Sequence, residues 1–164
     1  MSKTEQNLQD AFAGESQANR KYLAFAKKAD KEGYKQVAKL FRAAAEAETV
    51  HAHNHLKQLD GIKSTKENLE AAVSGESHEF ETMYPQMIKD AEEEGNKGAL
   101  RSFNFANDVE KVHADLYQKA LDNIGSNEEA DYFVCDICGY TAEGEAPDQC
   151  PVCKAKKELF KKID

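Results

Sequence analysis

Residues 48–57 read ETVHAHNHLK, and residues 110–119 read EKVHADLYQK. Aligned, they share Glu48 with Glu110, Val50 with Val112, His51 with His113 and Ala52 with Ala114. His53 falls opposite Asp115 and His55 opposite Tyr117, so neither is repeated as histidine. On a helix, His53 is turned ~200° from His51, towards solvent. His55 lies one turn along the inner face, opposite an aromatic, and reads as a packed histidine or one that hydrogen-bonds beside the ligands. One residue of the histidine-rich tract, His51, therefore carries the repeated pattern Glu-x-x-His.

The repeat extends in both directions. Gly14-Glu15-Ser16 recurs as Gly75-Glu76-Ser77, and Glu32-Gly33 recurs as Glu94-Gly95. The offset is 61 residues at the first pair and 62 from the second onward, so the second copy holds one inserted residue. Residues 4 to about 125 are rich in helix formers, with breaks at Lys31–Gly33, Leu59–Thr65 and Glu93–Gly95. The pattern predicts two helical hairpins, about 4–59 and 65–125, and hence a four-helix bundle. Gly125–Ala130 reads as a linker, which gives a helical domain over 1–130 and a small second domain over 131–164.

Each helix has an apolar stripe interrupted near its middle by a carboxylate. The interrupting residues are Glu15, Glu48 with His51, Glu76 with Glu79, and Glu110 with His113. Five buried carboxylates would repel one another, and a multivalent cation resolves the conflict. One Glu from each of two helices plus Glu-x-x-His from each of the other two is the ligand pattern of carboxylate-bridged di-metal bundles. Oxygen donors with a little imidazole suit iron or manganese. The repeat symmetry predicts that Glu48 and Glu110 bridge two metals. Glu15 and His51 would be terminal on one, and Glu76 and His113 on the other. Glu79 is surplus, since its counterpart is Ala18, and leaves one metal a choice between His51 and Glu79. Tyr22 and Tyr84 lie near the ligand positions, as hydrogen-bonding partners or as packing.

All four cysteines lie in Cys135-x-x-Cys138-Gly-Tyr and Cys150-Pro-x-Cys153. Two such knuckles form a tetrathiolate site for iron or zinc, which the spacing alone does not separate. Clustered cysteines of this kind suit a metal site in a reducing cytoplasm rather than a disulfide framework. A net charge of −8 counts against nucleic acid and anionic membranes as partners, and no apolar run is long enough to span a bilayer.

With these motifs together, GES at 14–16, ETVHA at 48–52, GESHEFETMYP at 75–85, EKVHA at 110–114 and CxxCGY…CPxC, the chain resembles the rubrerythrin family over nearly its whole length. The resemblance implies an all-α ferritin-like four-helix bundle with a C-terminal rubredoxin-like domain. It implies an oxo/carboxylate-bridged di-iron centre and a mononuclear Fe(Cys)4 centre, with zinc as a misloaded alternative. The implied activity is reduction of hydrogen peroxide to water in defence against oxidative stress. Electrons would come from NAD(P)H through a separate reductase and a rubredoxin. The resemblance also implies that one iron exchanges His51 for Glu79 on oxidation, with Tyr22 and Tyr84 beside the ligands. Ferritin-like iron oxidation and storage is the alternative, but storage has no use for a tetrathiolate; a zinc-ribbon adaptor conflicts with the repeat-matched carboxylates.

The connection between the second and third helices raises a topological question. Those helices run parallel in a ferritin-like bundle, so the link must climb ~28 Å, and six residues reach at most ~21 Å. Ser64–Glu67 reads as a capping box that starts the third helix early. The expectation is a domain-swapped homodimer or larger assembly, with each cysteine domain serving a partner's di-iron site. A third helix starting nearer Glu70 would instead lengthen the loop.

Overall fold

The computed structural model describes residues 1–164 as two compact units, Met1–Lys63 and Ser64–Asp164. The chain is mostly helical with a small stranded cysteine module, the class the sequence predicts.

The first unit is a hairpin of α1 (Lys3–Lys31) and α2 (Lys35–Gln58). A capping box starts α1: Ser2 Oγ accepts from the Glu5 N–H at 3.1 Å, and the Ser2 N–H donates to Glu5 at 3.2 Å. The hairpin's buried side chains are all alanines, Ala26, Ala29, Ala38, Ala45 and Ala52. Small residues at the seam let the helices approach closely. They also leave larger apolar groups such as Phe25, Val37 and Leu40 exposed in this unit. Asn19 crosses the seam, donating to the Ala45 carbonyl at 2.7 Å and to Thr49 Oγ1 at 2.9 Å.

The second unit holds α3 (Thr65–His78), a π-turn (Glu79–Met83), α4 (Tyr84–Glu93) and α5 (Lys97–Asp122), followed by the cysteine module. The predicted Ser64/Glu67 capping box is present, so the third helical segment begins at Thr65 rather than near Glu70. The π-turn lies between the two repeat anchors whose offset differs, and it accommodates the inserted residue without breaking the helix. It also makes room for Pro85, whose ring would clash with the Glu81 carbonyl in a regular α-helix. Across the π-turn, the Tyr84 N–H reaches back to Glu79 O.

The two hairpin turns are built alike. Gly33 and Gly95 have φ of +85° and +67°, which favours glycine. The following N–H groups of Tyr34 and Asn96 return to Ala29 O and Ala91 O, both at 2.9 Å. Asn96 adds a side-chain cap to Ala99 N–H at 3.1 Å, which Tyr34 cannot supply.

In the module, β1 (Tyr132–Cys135) lies between β2 (Thr141–Glu143) and β3 (Phe160–Ile163), antiparallel to both. The preceding segment is tied down, because Asn127 Nδ2 donates to Ala120 O at 3.1 Å and Asn123 O at 3.0 Å, capping the end of α5. The packing units divide at Lys63, and the module shares its unit with the second hairpin.

Candidate metal centres

Glu-x-x-His behaves identically in both repeats. His51 Nδ1 lies 2.8 Å from Glu48 Oε2, and His113 Nδ1 lies 2.8 Å from Glu110 Oε2. One helical turn separates each pair, so both side chains share a face. Glu15 completes a cluster with Glu48 and His51; Glu76 completes one with Glu110 and His113. In each, ligand atoms lie within 4.8 Å of one another.

None of these groups is fully buried within its unit, contrary to the expectation of central carboxylates. The Glu48 and Glu110 side chains are 18% and 17% exposed, but His51 is 54% exposed and His113 only 27%. The difference has a cause. His113 Nε2 lies 2.9 Å from Thr141 Oγ1 on β2, whereas no side chain of the first hairpin holds His51 Nε2. Spacing predicts the pairs, but not this contact, which joins residues 28 positions apart.

The second cluster is electrostatically frustrated without a cation. The Glu76 carboxyl is raised to about 7 by burial, by the charge of Glu110 and a hydrogen bond to it, and by the charge of Glu79. Tyr84 is raised above its ordinary value by burial and then by Glu110, Glu79 and Glu76. Glu79 and Tyr84 therefore stand beside this cluster, though Glu79 is outside the tight trio. Tyr22 has a different setting, between Phe25 and Phe41 with ring centroids 6.3 and 6.1 Å away. Of the other two histidines in the tract, His53 is exposed and His55 half-buried.

Hydrogen-bond direction tests whether a metal fits. Thr141 Oγ1, 3.2 Å from Gly139 O and 2.9 Å from His113 Nε2, can donate to that carbonyl while accepting from Nε2–H. A neutral His113 then turns a bare Nδ1 lone pair towards the Glu110 carboxylate. A cation bound between the two satisfies both; without one, the other tautomer donates Nδ1–H to Glu110 and accepts from Thr141. The donor set of carboxylates and imidazole fits iron or manganese.

The cysteine site is equally explicit. Four Sγ atoms lie within 4.8 Å of one another, and none forms a disulfide. Cys135 and Cys153 are 3.6 Å apart and Cys138 and Cys150 3.5 Å, close to the ~3.8 Å edge of a tetrahedron with ~2.3 Å metal–sulfur bonds. The two knuckles superpose in their bonding. Gly139 and Lys154 N–H return to Cys135 O and Cys150 O; Cys135 and Cys150 N–H donate to Tyr140 O and Ala155 O. Gly139 and Lys154, each four residues after a cysteine, both have positive φ, +85° and +64°. Burial pushes the Cys138 thiol up. Cys150 is lowered, burial being outweighed by the N–H groups of Cys153 and Val152.

The module rests on α5 of its own chain, through Thr141 on His113 and Glu143 on Lys119 at 2.5 Å.

These sites define a class: a helical protein with a carboxylate–histidine cluster in each of two repeats and an appended tetrathiolate module. The Rubrerythrin family profile matches residues 6–121, and the profile described as the rubredoxin-like domain of rubrerythrin matches 133–161. Rubrerythrin-2 of Clostridium acetobutylicum is 34% identical, over 93% of this chain and 92% of that protein. Nigerythrin of Nitratidesulfovibrio vulgaris is 37% identical, over 96% of this chain and 85% of that protein. The structure of nigerythrin in its fully reduced, all-ferrous state matches with a TM-score of 0.60 at 36% identity, over 99% of this chain and 88% of that one. The chain belongs to the rubrerythrin family. It carries the Glu/His site of that family's di-iron domain and the four-cysteine site of its rubredoxin-like domain.

Proposed function

We propose that the protein is a non-haem di-iron peroxidase that reduces hydrogen peroxide to water, with electrons relayed through the iron of the cysteine module. The observation that carries this reading is the contact of Thr141 with His113, which seats the cysteine module against a histidine of the carboxylate cluster. Nigerythrin, a relative, has been solved in reduced and mixed-valence states, which supports redox-active iron here. The helical and rubredoxin-like domains are proposed as 1–130 and 131–164. Electrons come from NAD(P)H through a reductase and a rubredoxin in a reducing cytoplasm. No helix is long and apolar enough to cross a membrane.

In this reading Glu15, Glu48, His51, Glu76, Glu110 and His113 would hold the two irons, with Glu79 the surplus carboxylate that would take the place of His51 in the oxidised protein. Cys135, Cys138, Cys150 and Cys153 hold the third. When bound, the di-iron centre supplies the two electrons that cleave the O–O bond. The chain manages the protons. Tyr84, raised above its ordinary value, keeps its phenol proton and donates from Oη. Glu76, raised to about 7 in the metal-free chain, would release that proton on taking its place as a ligand. Tyr22 packs within the first hairpin, against Phe25 and Phe41.

A dinuclear centre needs both three-residue halves, and each compact unit holds one. We propose a swapped homodimer, in which the first hairpin of one copy meets the second hairpin of another. From His51 to the end of α2 and from Thr65 to Glu76 the helices descend about 27 Å. Gly61 is still tied back, its N–H donating to Leu56 O at 3.0 Å. From there to Thr65 the chain extends at most ~14 Å. Inserting about ten Gly/Ser residues after Gly61 converts the dimer to monomer, read by light scattering; an unchanged dimer counts against the swap.

The function itself is tested by metal analysis with visible spectroscopy. About three irons per chain and a ferric-thiolate absorption, bleached by reductant and restored by H2O2, are expected from the ligand count. Zinc in the cysteine site of protein purified from its native source, or reduced protein inert to peroxide, would overturn it.

A further inference from the structure

We propose that Thr141 is a positioning residue: it fixes the ring of His113 and links the cysteine module to the carboxylate–histidine cluster. The hydrogen bonds form a directed chain. With a metal on His113 Nδ1, Nε2–H donates to Thr141 Oγ1 at 2.9 Å, which leaves the Thr141 hydroxyl proton for Gly139 O at 3.2 Å. Gly139 follows Cys138 directly, so two hydrogen bonds and one short stretch of backbone connect a cysteine ligand with a histidine. Few other residues would serve. The hydroxyl both accepts and donates, while valine or alanine does neither. Strand alternation turns Thr141 and Glu143 the same way, towards α5, and buries Ala142 between them. The knuckle runs close to α5 here, a Cβ on Gly139 lying within ordinary contact, 3.9 Å, of Val109.

Orientation of a ligating histidine through its second nitrogen governs how firmly it holds a metal. Here that support comes from another domain, so module docking and cluster geometry are one event. The coupling part rests on the proposed peroxidase reading. There, H2O2 takes up two electrons and two protons to give two waters. The module passes the electrons singly from a one-electron protein donor, with no bond made or broken at Thr141.

The test uses full-length protein and three variants, Thr141→Val, Thr141→Ser and Thr141→Ala. In zinc-loaded protein, nitrogen-15 NMR should show a His113 Nε2–H signal protected from solvent exchange and close to Thr141 protons. Protection should fall on the order of tenfold in Thr141→Val and return in Thr141→Ser. In iron-loaded, reduced protein, reoxidation of the thiolate centre after a peroxide pulse should slow on the order of tenfold in Thr141→Val and recover in Thr141→Ser. An unprotected His113 Nε2–H in wild type, or wild-type values in Thr141→Val, overturns the proposal. If valine prevents folding, Thr141→Ala carries the same comparison. A wild type inert to peroxide but with the protected signal overturns the peroxidase reading and leaves the positioning role standing.

Discussion

The two hairpins carry the same turn and the same Glu-x-x-His geometry, yet their histidines live differently. His113 is held at both nitrogens, by Glu110 and by Thr141; His51 is held at one, by Glu48, and is half exposed. The second repeat also has the π-turn and Glu79, where the first has an unbroken helix and Ala18. A duplicated framework has thus acquired one fixed and one loosely held ligand. That asymmetry suits a centre in which one histidine leaves and the other stays.

The largest expected effect tests this directly. His113→Ala should lower the affinity of the di-metal site at least ~100-fold, because it removes a ligand and unseats the module. His51→Ala should cost about tenfold less, with Glu79 available as a substitute. Isothermal titration with ferrous iron under anaerobic conditions measures both, and equal losses break the comparison. Next, Glu79→Ala should slow peroxide turnover on the order of tenfold while iron content stays near wild type. Unchanged peroxidase kinetics in that variant would remove the ligand exchange.

A pH series sharpens the role of the second cluster. Glu76 has a folded-state value of about 7, above its ordinary value of 4.5. Between these values the folded, metal-free chain holds a proton that the unfolded chain has released. This group therefore favours the folded state more as pH falls from 7 towards 4.5, and the contribution is lost as pH rises through 7. Metal binding runs the other way, because a cation must displace that proton. Apparent affinity should drop on the order of tenfold per pH unit below 7, and Glu76→Gln should flatten the dependence. The smallest effect concerns the helix starts. Ser2→Ala and Ser64→Ala should each cost ~1 kcal/mol by denaturant melts, since each box satisfies helix N–H groups. A much larger loss at Ser64 alone would show that the start of α3 also sets the crossover.

Local spacing made much of this legible. Glu48 with His51, Glu110 with His113 and the paired cysteines are three residues apart, and a single turn of helix or knuckle brings them together whatever the rest of the chain does. The Ser64 cap is equally local. The offset change between repeats announced an extra residue but not its place; the π-turn at Glu79–Met83 depends on how the helix accommodates both the insertion and Pro85. Tyr22 and Tyr84 look alike in sequence. Only packing separates one among phenylalanines from the other among carboxylates.

By itself, then, the sequence determined two helical hairpins, the ligand types at their one-turn spacing, and a four-cysteine knuckle, because each follows from short-range backbone geometry. The tertiary structure decided which histidine is anchored. That depends on Thr141 of β2 meeting His113 of α5, a pairing between distant residues that no periodicity encodes and that arises only when the module packs on its own helix.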